Sequence, residues 1–174
     1  MVETEKMLET IIANTYTRNS LAHRLDLAKG FLEYYFFQGH ENRNLIYLLN
    51  EYINLKKENR DEFNAMVAWS YPFFNQVDKS NFYGVLTRLE TAVKALDGAT
   101  IYLPIILPPY EQPKLCGWFR TNVHPRFIID LRFDRSLIGG CAIVYKGVYH
   151  NFSLRYFLER DKPAIKSVVE EYLS

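Results

Sequence analysis

Chemistry in this chain would have to come from a few scattered groups. The four histidines, His23, His40, His124 and His150, lie far apart with no HExxH or related ligand spacing, so each reads as a surface or structurally satisfied residue. Asp130 and Asp134 invite comparison with an acid and base pair. Asp134 falls where the strand carrying Asp130 should end, however, and such a pair also needs a pocket that moves one pKa. Ser136 precedes two glycines but lacks the GxSxG elbow, and GGCAIVYK has neither the spacing nor the GK[ST] ending of a phosphate-cradling loop. A structural turn is the reading there. Cys116 and Cys141 lack CxxC spacing, supporting neither a metal site nor a disulfide framework, and a reduced compartment is the default. Trp118 and Phe119 could stack on bases beside Arg120, Arg126 and Arg132, yet no basic stripe surrounds them. No catalytic residue, cofactor or metal is therefore expected, and the work of the chain should be contact.

The composition agrees with that direction. Its 174 residues, 48% of them hydrophobic, are enough for one domain or two small ones. The 13 tyrosines and 12 phenylalanines are many for this length. An aromatic-rich core explains them first and a protein-binding surface second. Up to Gly98 there are 11 basic against 13 acidic residues, and beyond it 10 against 7, so the halves stand at −2 and +3. Nucleic acid is not the expected partner. No apolar run is long enough to cross a bilayer, and MVETEKMLETII is too acidic for the start of a signal peptide. The expectation is a soluble protein, tied to a membrane only through a partner.

Two kinds of element would have to position these groups. Residues 1–98 read as an antiparallel helical bundle. The first helix runs from Val2 and fades around Asn14 to Thr17; the second is capped by Asn19 or Ser20 and carries Leu21, Leu25, Ala28, Leu32, Tyr35 and Phe36. After the HENRN turn, His40 to Asn44, the third presents Leu45, Leu48, Leu49, Tyr52, Ile53 and Leu55. The fourth spans Arg60 to Trp69 and should stop before Pro72. The fifth starts after Asp78 or Ser80, with Gly98 as its terminator. Residues 99–174 read as a small mixed domain, making the whole α+β. Ala99 to Leu107 is β-prone, but Pro104 places it at an edge or a bulge. Pro108, Pro109, Pro113 and Pro125 fence off a segment with no firm assignment beyond a turn of helix.

The run from Phe127 to Tyr156 organises the second region. Phe127, Ile129, Leu131 and Phe133 alternate with Ile128, Asp130 and Arg132 as a strand does. Gly139-Gly140 permits a sharp turn, and Cys141 to Tyr145 should return through Val148 to His150 by a tight turn in which Gly147 takes positive φ. Asn151 or Ser153 then caps a helix that presents Leu154, Phe157 and Leu158 on one side, with Leu154 and Phe157 as its anchors. Asp161-Lys162-Pro163 starts a last helix with Ile165, Val168, Val169 and Tyr172 on its apolar side.

This run resembles the carboxy-terminal signature of the delta subunit of F-type ATP synthase, the oligomycin-sensitivity-conferring subunit of mitochondria. That signature reads Asp, a small spacer, Ser-Leu-Ile-Gly-Gly, a strand, a charged turn, a strand, then Asp-Gly-Ser and a helix. Asp134, Ser136, Leu137, Ile138, Gly139, Gly140 and Ser153 match it, with Gly147 in the turn and Leu154 opening the helix, while Asn151 and Phe152 replace Asp and Gly. The first 98 residues agree only in helical character and size, and the segment from Pro108 to Pro125 is shorter and less helical than the family's charged helix. The resemblance implies a non-catalytic stator subunit. Its helical domain would bind the amino-terminal helices of the alpha subunits and its second domain the peripheral-stalk b subunits, at the cytoplasmic face of the cell membrane. Two other classes stay open: an adaptor of another complex, and a small hydrolase-type enzyme with a concave pocket.

Overall fold

The computed structural model describes residues 2–38, 43–70 and 73–173. The chain divides into two compact units, Met1–Asp97 and Gly98–Ser174. The first is a helical bundle and the second a mixed α/β unit around a four-stranded sheet, an α+β chain as expected.

The first unit contains α1 (Val2–Ala13), α2 (Arg18–Phe37), α3 (Leu45–Leu55), α4 (Arg60–Ser70), a 3-10 turn (Phe74–Gln76) and α5 (Phe82–Lys94). Its core accepts the aromatics: Phe31, Trp69, Phe73 and Phe82 are fully buried among Ile11, Leu21, Leu48 and Leu89. The cap of α2 is Thr17, not Asn19 or Ser20. The Thr17 side chain accepts from the Ser20 amide at 3.2 Å, which puts both expected caps inside the first turn. Asn44 caps α3 by accepting from the Tyr47 amide at 3.0 Å. Asp78 Oδ1 accepts from the Ser80 and Asn81 amides, at 2.8 and 3.0 Å, ahead of α5. Gly98 does not terminate α5, which ends at Lys94 with Ala95 as its cap; Gly98 instead opens the first strand. His40, the middle of the HENRN turn and Pro72 lie outside the described residues.

The second unit runs β1 (Gly98–Leu103), α6 (Gln112–Asn122), β2 (Ile128–Phe133), β3 (Gly140–Tyr145), β4 (Val148–Ser153), α7 (Leu154–Arg160) and α8 (Lys162–Leu173). The strand order is β2-β1-β3-β4, with β1 parallel to β2 and antiparallel to β3. Two expectations change here. β1 is an inner strand and stops at Leu103, so Pro104 sits just beyond it, neither at an edge nor in a bulge. The proline-fenced segment is an 11-residue helix. Parallel strands cannot be joined by a tight turn, so a crossover helix has to lie between β1 and β2. Pro113 falls in its first turn, where a missing N–H costs nothing.

Phe119 of α6 stacks on Phe127 at 4.9 Å, and the Arg120 Nε donates to the Phe127 carbonyl at 3.0 Å. The start of β2 is covered on both faces, since Ile128, Ile129 and Asp130 are all buried in sequence. Between β3 and β4, Lys146 (φ 49°) and Gly147 (φ 78°) make a two-residue turn with both centres left-handed, the geometry that matches strand twist.

Candidate functional site

Most of the signature residues come together, and what they build is a clasp between two chain segments. Asp134 Oδ1 accepts from the Ser136 amide at 2.8 Å, a local turn that carries the chain off β2. The hydrogen bonds from Ser136 hold the Asp134 carboxyl below the usual carboxylate range. Leu137 is then buried and Ile138 exposed. The Gly139 carbonyl accepts from the Leu154 amide at 3.0 Å, and Gly140 pairs with Ser153 at the far end of the β3–β4 ladder. Ser153 is buried, donates its backbone amide to Asn151 Oδ1 at 2.9 Å, and caps α7 by accepting from the Tyr156 amide at 3.3 Å. Gly147 stands apart in the hairpin turn.

The remaining candidates are individually occupied. His23 meets Glu58 at 3.2 Å, His124 accepts from the Arg126 amide at 3.2 Å, and His150 stacks with Phe152. Asp130 Oδ2 accepts from Arg132 at 3.0 Å, while its buried Oδ1 has no hydrogen-bond partner among the described residues. Burial pushes both thiols up, Cys116 in α6 and Cys141 in β3, which favours the unreactive protonated form. Among the described residues no three His, Cys, Asp or Glu side chains gather as a metal site would require.

The surface departs most from the sequence reading. Leu154, Phe157 and Leu158 do not anchor α7, and Ile165, Val168, Val169 and Tyr172 of α8 are likewise exposed; no residue of either helix is buried. Asp161 separates the two helices and clamps Arg160 through two 2.9 Å bonds. Periodicity located the apolar side correctly, but it carries no information on whether the same chain covers it. A cavity of about 540 Å3 opens between β4 and α7, lined by Phe152, Tyr156, Phe157 and Arg160 among others. In the bundle, a cleft of about 300 Å3 lies between α2 and α5, with Leu21, Leu25 and Val93 as its apolar lining. A wider aromatic cavity of about 520 Å3 lies where α2, α3 and α5 meet.

No protein-family profile matches the chain. It is similar to the ATP synthase subunit delta of Dichelobacter nodosus (strain VCS1703A), at 25% identity over 170 residues, covering 91% of this chain and 84% of that protein. That coverage reaches into both units, well beyond the carboxy-terminal signature. Among the described residues no helix is long and apolar enough to cross a membrane.

Proposed function

We propose that the chain is a non-catalytic peripheral-stalk subunit of a rotary ATP synthase, joining the catalytic head to the b-type stalk and resisting torque during ATP synthesis. The observation that carries this reading is the apolar side of α7 and α8, none of which is buried. Amphipathic helices gain their stability from packing, so an uncovered face of this extent is a contact surface for another chain. Similarity to a protein named as ATP synthase subunit delta supplies the class of partner. In this reading the b subunits lie along α7 and α8, and the amino-terminal helices of the alpha subunits take a bundle groove such as the α2–α5 cleft. Two modest contacts on one body hold better than either alone, because the second forms at high local concentration. Membrane association is then indirect, through the stalk.

Co-purification from a membrane fraction, with mass spectrometry of what stays bound, tests the reading. The alpha and b subunits should be retained together. Recovery of a different set of partners would make the chain an adaptor of that assembly and end the stalk assignment.

A further inference from the structure

The aromatic cavity of the bundle is lined by an acid, Glu33, that makes no ion pair among the described residues, although Lys56 lines the same cavity. Tyr34, Phe37, Tyr52 and Tyr83 wall it, with Glu33 between them. Glu33 accepts the Tyr83 hydroxyl at 3.1 Å and forms no ion pair among the described residues. Tyr52 is only 4% exposed, yet it lines the cavity and its hydroxyl has no hydrogen-bond partner among the described residues. Gly30 makes room for that hydroxyl, since a β-carbon there would run into it. Burial, then the charges of Glu33 and Glu58, push the Tyr52 hydroxyl up, and burial with Glu33 does the same to Tyr83. Glu33 and the ring faces draw positive charge into the cavity, set against the charge of Lys56 in its lining. The chain's own lysines already exploit the faces: Lys56 Nζ stands 5.5 Å over Tyr52 and Lys79 Nζ 5.3 Å over Phe37.

We propose that this cavity receives an arginine or lysine side chain of a partner polypeptide, with Glu33 as its counter-charge and the Tyr52 and Tyr83 rings as its walls. Charge favours a cation, because the first unit carries 11 basic against 13 acidic residues up to Gly98 and Glu33 forms no ion pair among the described residues. A polypeptide is favoured over a small ammonium ion by the rim. Phe37, Leu55 and Tyr83 are 55%, 68% and 51% exposed, and a chain continuing from the cation would cover them. Lys56 occupies the Tyr52 face with no ion pair among the described residues, so it acts as an internal competitor for the incoming group.

The probe is the peptide acetyl-Gly-Arg-Gly-amide, titrated to about 20 mM into the full chain and followed by amide chemical shifts. Its neutral citrulline isostere is the control. Shifts should centre on Glu33, Tyr52 and Tyr83 with the arginine peptide and be absent with citrulline. Glu33→Gln should weaken binding about fivefold, and Lys56→Ala should strengthen it about two- to fivefold. Lys56 is exposed and Glu33 half-buried, and amide spectra report whether each variant keeps the fold. Equal response to arginine and citrulline, no response at the top concentration, or weaker binding by Lys56→Ala overturns the proposal. So does phosphocholine if it shifts the same amides more strongly than the peptide. The readout involves no second-unit residue, so it stands or falls separately from the stalk assignment.

Discussion

Gly140 faces the carbonyl oxygen of Phe152 across the β3–β4 ladder so closely that a β-carbon there would collide with backbone. Its φ of 76° adds a second constraint, since residues with a β-carbon rarely adopt that conformation. Gly140→Val should therefore destabilise the second unit by about 2 to 4 kcal/mol, combining backbone strain with displacement of a neighbouring strand. Gly147 shares the positive φ, at 78°, but has open space around it. Gly147→Ala should cost only about 1 kcal/mol. Urea unfolding of the two variants checks the ranking, and equal costs would mean that the Phe152 contact contributes nothing.

Arg24 and Glu62 tie α2 to α4 through a 2.6 Å bond, with side chains only 11% and 13% exposed. Arg24 also donates to the Asn14 carbonyl and to Thr15, and Asn14 in turn accepts from the Trp69 indole at 3.1 Å. Glu62→Ala leaves a nearly buried guanidinium without its counter-charge and should cost about 2 to 4 kcal/mol. The double variant Arg24→Met, Glu62→Ala should recover only part of that loss, because the Asn14 carbonyl then loses its donor. A double-mutant cycle by thermal unfolding measures the coupling, and a negligible coupling would reduce the pair to a surface contact.

The helical bundle was legible because Leu21, Leu25, Ala28 and Leu32 keep one period through α2 and all are buried. The β3–β4 hairpin was legible because Lys146-Gly147 sits between two apolar runs. α6 was not, because Pro108, Pro109 and Pro113 look like breakers until the parallel pairing of β1 with β2 demands a crossover, whereupon they become its entry. Thr17, the actual cap of α2, could not be told from Asn19 and Ser20 in the sequence, because all three have capping side chains and only the first-turn geometry separates them. The signature from Asp134 to Leu154 could be located but not explained, since the Gly140–Phe152 approach is a cross-strand event. The aromatic cavity left no local signal at all: Glu33, Tyr52 and Tyr83 come from three helices.

Leu154, Phe157, Val168 and Tyr172 separate folding from contact. If they belonged to a core, truncation to alanine would cost about 2 to 5 kcal/mol each. All four are exposed, so each alanine variant should stay within about 0.5 kcal/mol of the parent in isolation. Retention on the membrane fraction should fall when Phe157 and Val168 are changed together, while the unfolding midpoint holds. A large loss of stability in the isolated chain would show that these helices are covered from within.

Asp134 gives the second unit a defined acid sensitivity. Its hydrogen bonds to the Ser136 hydroxyl and amide depress its folded pKa below the ordinary carboxylate value of about 3.9. Above the unfolded value the carboxylate is ionised in both states, and the stabilisation from those bonds is fully present. As pH falls through the folded pKa it is lost, because the unfolded chain takes up the proton first. Asp134→Asn removes the titration but keeps an acceptor, so the variant should be less stable than the parent at neutral pH, and the gap should close as pH drops from about 5 towards 2. Asp78, depressed by Ser80, and Asp161, depressed by Arg160, act in the same sense elsewhere, which is why the comparison has to be made between parent and variant at each pH. Urea midpoints collected across that range test it. A gap that stays constant as pH falls would mean that the Ser136 bonds depend on the shape of the acceptor and owe nothing to its charge.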